Sequence, residues 1–362
     1  MVTERKNRVW PDVAIPPGEL LRETVEALGM TQAELARRTG RPTQTINDII
    51  QGRTEITPET ALQLEKALGS PAYLWLGLEK DYRFNKARLA ELRRLNSQAS
   101  MLAAFPIREM VKFGWIERHR DKARQVKELL EFLGIASFDE LRRVQPAAYR
   151  KSRLKEASPT ALAAWLRRGE LLAHRIETAP FDERKLKGQV GYFRSLTLKP
   201  PEEFQQELRE TCAQCGVAWV MVPHLPKTYV NGATRWMGEK AVIQMSLRFK
   251  TDDIFWFTFF HELGHILLHG RREQFVDHGK GDGGTDAAEQ EADRFAANQL
   301  ISPSDYRKLP VHKYLSKNEV RNYAAEIGVA PGIIVGRLQH DGKLSQKMMN
   351  DLKRKFEFRQ QD

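Results

Sequence analysis

Phe259-Phe260-His261-Glu262-Leu263-Gly264-His265-Ile266-Leu267-Leu268-His269 lies in the most apolar helical segment of the chain, Asp253 to His269. Histidines four residues apart share one face of a helix, so His261 and His265 can offer ring nitrogens to one ion at about 2.0–2.1 Å. Glu262, beside them, is placed to take a proton from an attacking water as general base and pass it to a leaving amine. A catalytic zinc usually has three protein ligands. The extended pattern with a third histidine needs glycine at 268 and histidine at 271, where the chain has Leu268 and Arg271. His269 stands eight residues from His261, roughly 12 Å along a continuing helix, too far to share the ion. The remaining source is the downstream helix Glu289-Gln290-Glu291-Ala292-Asp293-Arg294-Phe295-Ala296-Ala297, where Glu289 and Asp293 share a face. The expectation is Zn2+ held by His261, His265 and Glu289, with Asp293 fixing a histidine ring by its other N–H. Glu291 competes for the third position. The plainer alternative is a buried helix whose histidines are hydrogen-bonded in the core.

Upstream, the apolar period changes. A helix from Glu202 to Cys215 stops at Gly216, and β-prone runs follow at Val217–Val222, Thr228–Trp236 and Ala241–Ser246, separated by Pro223, Pro226, Asn231-Gly232 and Gly238. They predict a small antiparallel sheet. Its last strand, Ala241–Ser246, is the candidate edge for an extended substrate chain, against the alternative of a purely structural sheet. His224, Tyr229, His278, Tyr306 and His312 are possible oxyanion donors, each with an ordinary structural explanation. Gly279 to Thr285 reads as a flexible loop, and Lys317 to Gln339 as two helices split at Gly328 that pack as a tail.

At the other end, Pro17 to Leu68 is dense in helix signals. A first helix spans about Gly18 to Leu28 and stops at Gly29. Thr31 with Glu34 three residues on opens a second that ends near Gly40, and a third runs from Pro42 to about Gln51. Thr57-Pro58 opens a fourth that ends at Gly69. The middle of the chain is helical but irregular, with a helix expected over Thr160 to Glu177. The organisation predicted is mainly α: a helix-turn-helix bundle over 1–80, a basic helical connector over 81–159, an α+β zincin-like metallopeptidase domain with a small sheet over 160–310, and a helical tail over 311–362.

Composition bounds the partners. There are 362 residues, 41% hydrophobic and 29% charged, with no apolar run of about 18 residues to span a bilayer and no apolar stretch near Met1 to make a signal peptide. A cytoplasmic protein with no membrane partner is expected. Cys212 and Cys215 are the only cysteines, which excludes a disulfide framework. Their C-x-x-C spacing gives half a zinc site at most. Lys+Arg against Asp+Glu runs 10 to 11 over residues 1–80, 26 to 14 over 81–200 and 22 to 22 over 201–362, so the net charge of +11 comes from the middle. Those cations either neutralise phosphates or form solvated helix faces.

The run FTFFHELGHILLHG from Phe257, followed by EQEADRFAANQLIS ending at Ser302, resembles the ImmA/IrrE metallopeptidases, which pair HELGH with E-x-x-A-(N/D)-x-F-A. The resemblance covers about residues 160–345. It departs at Ile301-Ser302-Pro303, where leucine-methionine-proline is frequent. It implies cleavage of helix-turn-helix repressors. Ile15 to about Gly77 is similar to HigA-type antitoxins of the Cro/repressor helix-turn-helix class. In that class the second helix of the motif enters the major groove of double-stranded DNA, which here places Arg41, Thr43, Gln44, Thr45 and Asn47 toward the bases and phosphates. The alternative for this near-neutral segment is a dimerisation or protein-binding bundle. Two-fold operators lead to the expectation of a homodimer. The function implied is a zinc endopeptidase tethered to a DNA-binding regulator, acting on a repressor or antitoxin, its own chain included. The competing reading is an antitoxin-like repressor whose metal domain senses and does not cleave.

Overall fold

The computed structural model describes residues 11–145, 157–269, 275–277, 287–309, 311 and 315–358. His278, His312 and the Gly279–Thr285 segment lie outside them. The chain divides into two compact units, one of Met1–Ser100 with His119–Lys127 and one of Met101–Arg118 with Glu128–Asp362.

The first unit holds α1 (Pro17–Ala27), α2 (Gln32–Thr39), α3 (Thr43–Ile50), α4 (Pro58–Leu68) and α5 (Ala72–Ser97). The caps read from the sequence form. The Thr31 hydroxyl accepts from the Glu34 N–H at 3.2 Å, the Thr57 hydroxyl accepts from the Thr60 N–H at 3.3 Å, and Gly40 and Gly69 end their helices in the left-handed conformation. Leu21, Val25, Leu35, Ile46, Ile49, Leu64 and Trp75 make the core. Glu79 reaches back from α5 to accept from the Ile56 N–H at 3.2 Å. α5 is 26 residues long and passes through position 80 without a break.

The middle of the chain contributes α6 (Ile107–Lys112), α7 (Lys122–Leu133) and α8 (Leu141–Val144). The second unit continues with α9 (Pro159–His174), α10 (Glu183–Gly188), α11 (Val190–Ser195) and α12 (Pro201–Gln214), then β1 (Val217–Met221), β2 (Gly232–Met237) and β3 (Lys240–Met245). After these come α13 (Asp252–Leu268), β4 (Phe275–Asp277), α14 (Ala287–Leu300), α15 (Pro303–Lys308), α16 (Lys317–Ile327) and α17 (Pro331–His340). The mainly α architecture with one small sheet is the one read from the sequence.

Two details of the sheet differ. The order is β1-β3-β2-β4, with β1 parallel to β3 and the other two pairs antiparallel, so the sheet is mixed. β3 is also an interior strand, paired on both sides, which removes Ala241–Ser246 as an exposed edge; among the described residues the edges are β1 and β4. The reason lies in the connections. β2 and β3 form a hairpin around Gly238-Glu239, while the chain from β1 passes residues 222–231 and enters β2 on the far side of β3. Alternation along the strands then faces Gly232 and Thr234 toward α13 and Arg235 and Gln244 toward α9. Thr234 bonds to Glu262, whereas the Gln244 amide donates to the Trp165 carbonyl at 2.7 Å and Arg235 donates to the Leu166 carbonyl.

α13 is the central helix, buried from Asp252 to Leu267 except at Ile254 and Phe257. α17 packs along its start: a Cβ on Gly332 would lie 2.3 Å from an Asp252 carboxylate oxygen, and one on Gly336 2.4 Å from an Asp253 oxygen. Ile333, Ile334, Val335 and Leu338 of α17 join the same core as α13. Asp253, buried, is paired with the half-buried Lys353 at 2.6 Å. Burial, and after it the charge of Asp253, pushes the Asp252 carboxyl up to about 7. A carboxyl whose pKa is raised on folding binds its proton more tightly in the folded state, so stability falls as pH rises from about 4 to about 7. Asp252→Asn is therefore expected to match the wild-type Tm near pH 4 and exceed it near pH 8. Parallel Tm profiles would refute the assignment.

Cys212 and Cys215 are free and buried, and burial pushes both thiols up. They pack in the core, where burial disfavours the nucleophilic thiolate.

Candidate metal centre and helix-turn-helix

α13 presents His261 and His265 on one face, both at least 97% buried, with ring centroids 4.7 Å apart. Their Nε2 atoms are 3.0 Å from each other. α14 lies against this face because small residues meet at the crossing: a Cβ on Gly264 would come within 3.3 Å of the Ala292 Cα and 3.1 Å of the Phe295 ring. The close approach brings the Glu289 Oε2 to 3.2 Å from His261 Nε2 and 3.5 Å from His265 Nε2. Ligands arranged tetrahedrally at about 2.0–2.1 Å from an ion stand about 3.3 Å apart, so this triangle of two imidazole nitrogens and one carboxylate oxygen fits zinc. Burial lowers the His265 pKa against the opposing pull of Glu289, favouring the neutral ring that binds metal.

One turn along α14, the Asp293 Oδ1 accepts from His261 Nδ1 at 2.9 Å, leaving Nε2 aimed at Glu289. Glu291 points elsewhere: it is half exposed and its Oε2 is 3.9 Å from His269 Nδ1. His269 caps the end of α13, bonds the Ala288 carbonyl at 3.0 Å, and stays out of the three-residue cluster. Removing the Asp293 carboxylate is expected to weaken metal affinity about 10- to 100-fold in Asp293→Ala, with the fold intact by circular dichroism. A competition titration against a chromogenic chelator reads this, and unchanged affinity would refute it.

Glu262 is fully buried, and its Oε2 accepts from the Thr234 hydroxyl at 2.6 Å. The same hydroxyl lies 3.1 Å from the Glu262 carbonyl. Gly232, the first residue of β2, leaves the space the carboxylate occupies, since a Cβ there would sit 2.4 Å from Oε1. Neither Gly232 nor Thr234 belongs to a motif that points to the metal helix. Their only signal is a small residue and a hydroxyl two apart in a strand, which puts both on one face.

In the first unit, α3 exposes Thr43 and Gln44 and half-buries Thr45 and Asn47. The Gln44 amide donates to Asp48 at 3.0 Å and the Asn47 carbonyl oxygen accepts from Gln51 at 3.0 Å. Arg53 bonds Asp48 and holds its carboxyl below the usual range. Arg41 is drawn to α4, donating to Gln63 at 2.7 Å. Gly18 seats α1 on the end of α3, where a Cβ would meet the Ile49 and Ile50 carbonyl oxygens at 2.3 Å.

Two family models match these regions. Residues 21–75 match the helix-turn-helix model, and residues 228–339 match the peptidase-family model described as the IrrE N-terminal-like domain. The chain joins a helix-turn-helix domain to an IrrE-like domain. Over 86 residues it is 29% identical to the uncharacterized HTH-type transcriptional regulator YddM of Escherichia coli strain K12, covering 23% of this chain and 92% of that protein. Over 75 residues it is 35% identical to virulence-associated protein I of Dichelobacter nodosus, covering 20% of this chain and 69% of that protein. Among solved structures it is similar to an addiction module antidote protein of a HigA family from Coxiella burnetii, with 31% identity, 24% of this chain and 94% of that chain covered, and a TM-score of 0.22. The Pseudomonas aeruginosa antitoxin HigA with higBA promoter matches at 28% identity, 24% and 95% coverage and a TM-score of 0.22. The helix-turn-helix match spans α1 to the start of α5, and the IrrE-like match spans β2 to α17, so each holds one of the two candidate sites. Among the described residues no helix is long and apolar enough to cross a membrane.

Proposed function

We propose that the IrrE-like domain is a zinc endopeptidase, that the helix-turn-helix domain binds operator DNA, and that the protein is a cytoplasmic regulator cleaving a helix-turn-helix repressor or antitoxin. The observation carrying this reading is the triangle of His261, His265 and Glu289 with the Glu262 carboxylate next to it on the same helix. Zinc bound there would supply Lewis-acid polarisation of the scissile carbonyl and its attacking water. The chain's own residues do the rest. Glu262 accepts the proton as water adds to the carbonyl carbon, then delivers it to the amine nitrogen as the C–N bond breaks. Thr234 holds the carboxylate in line by its hydroxyl, and Asp293 fixes the His261 ring. On the DNA side, Thr43, Gln44, Thr45 and Asn47 supply the base-facing groups, Arg41 a phosphate contact, and a homodimer matches a two-fold operator. Tethering raises the local concentration of peptidase around substrate bound at the same operator.

The test combines metal analysis of the purified chain with a cleavage assay on a panel of helix-turn-helix repressors, this chain included. One equivalent of zinc with cleavage at a defined bond is expected. Zinc without cleavage would favour a metal-sensing repressor, and no zinc would reject the metal centre.

A further inference from the structure

A near-neutral helix-turn-helix segment is an unusual partner for DNA, which presents about one negative charge per 1.7 Å of axis. Residues 1–80 carry 10 Lys+Arg and 11 Asp+Glu. The compact unit that contains them is larger, however, because α5 runs on to Ser97 and His119–Lys127 folds with it. These additions change its charge. Residues 81–100 carry 5 Lys+Arg against 2 Asp+Glu, and residues 119–127 carry 4 against 1.

α5 leaves the core beside the turn that follows α3. The Tyr82 hydroxyl is 3.1 Å from the position of a Cβ on Gly52, and Arg83, bonded to Glu79, comes to 3.9 Å from Glu55. From Arg83 to Ser97 the helix extends a further 20 Å or so, about six base pairs of duplex. Along it Lys86 and Arg93 are seven residues apart, which puts them on one face. Both are exposed and neither has an acidic partner among the described residues, unlike Arg83 and Arg94, which are paired with Glu79 and Glu91. In the second segment Ala123, Gln125 and Val126 turn inward, while Arg120, Lys122 and Arg124 are exposed, again with no acidic partner among the described residues. The segment lies near α5: Arg94's hydrogen bond lowers the Glu91 carboxyl, and the charge of Lys127 adds a smaller pull.

We propose that Lys86, Arg93, Arg120, Lys122 and Arg124 form a phosphate-binding extension of the helix-turn-helix domain, gripping duplex DNA that flanks the bases read by α3. Exposed cations without acidic partners keep their full charge for phosphate, and each contact releases condensed counterions. The extension supplies the sequence-independent part of the affinity and α3 the sequence-dependent part. This rests on the DNA-binding reading above, and the experiment separates the two.

Full-length protein is titrated by fluorescence anisotropy against two duplexes of equal length, one from the DNA directly upstream of its own coding sequence and one of scrambled sequence, across about 50–200 mM salt. Three forms are compared: wild type, Gln44→Ala/Asn47→Ala, and Lys86→Gln/Arg93→Gln/Arg120→Gln/Lys122→Gln/Arg124→Gln. The five-fold variant is expected to lose affinity on both duplexes and to flatten the slope of log K against log salt by about 0.9 per lost contact. The α3 variant is expected to lose affinity only for the upstream duplex, with its slope kept. Wild-type slope and affinity in the five-fold variant would overturn the extension while leaving DNA binding in place, and would turn attention to an acidic protein partner. Wild-type protein that binds neither duplex at the lowest salt would overturn both.

Discussion

Glu262→Gln is expected to keep one equivalent of zinc and to lose cleavage by about 10²- to 10⁴-fold, the range for removing a positioned general base. The separation follows from the geometry. Glu262 is not one of the three groups that converge, so the proposed ligands His261, His265 and Glu289 are left untouched. A glutamine carbonyl oxygen can accept from Thr234 as the carboxylate oxygen does, so the buried hydroxyl keeps a partner and the fold survives. What is lost is the negative charge and the carboxylate's capacity to take a proton. Glu289→Ala is the contrasting change, expected to remove zinc and cleavage together while Glu262 stays in place. Metal content by atomic emission and turnover on one repressor substrate read both variants. If Glu262→Gln turned over substrate at the wild-type rate, Glu262 would not be the base; if it lost its zinc, the donor assignment would be wrong.

The elements that carry this site differ in how openly the sequence declares them. α13 and the ends of α1 to α4 are set by local rules: a histidine pair at i and i+4, caps at Thr31 and Thr57, left-handed glycines at 40 and 69. Asp293 follows by spacing from Glu289, and the 2.9 Å bond to His261 sits where that spacing puts it. Strand order does not follow from spacing. The β-prone runs from Val217, Thr228 and Ala241 stand out in the sequence, but which strand lies inside depends on a connection through 222–231 that carries no periodic signal, so pattern alone leaves β3 looking like an edge. β4 is three residues long, too short to stand out. The boundary at 80 failed to predict the run of α5 for a similar reason: Asp81 begins a change of charge, and helices tolerate that without breaking. Asn231-Gly232 reads as a turn signal, whereas here Gly232 is a strand residue whose missing side chain is used by another element.

That use makes Gly232→Ala the most informative single change in the IrrE-like domain. One methyl group would stand 2.4 Å from the Glu262 Oε1 and 2.8 Å from both the Glu262 Cγ and the Thr258 Cγ2. Ordinary contact needs about 3.4 Å or more, so the carboxylate must move by about 1 Å. It has nowhere easy to go, because Glu262 is fully buried and Thr258 is 98% buried. Overpacking of this kind costs about 1–3 kcal/mol of stability. Displacing a catalytic group by about 1 Å costs on the order of 10² in rate. Zinc content is expected to stay at one equivalent, since the methyl meets none of the three proposed metal ligands. Gly238→Ala supplies the control. It sits at φ +61° in the β2–β3 turn with nothing within 4 Å of the new methyl, so it loses stability through backbone strain alone and keeps its turnover. Comparing the two variants at matched folded fraction isolates the position of the carboxylate from the stability of the sheet. Equal turnover in both would mean that the proton is taken by a group other than Glu262 where it now stands.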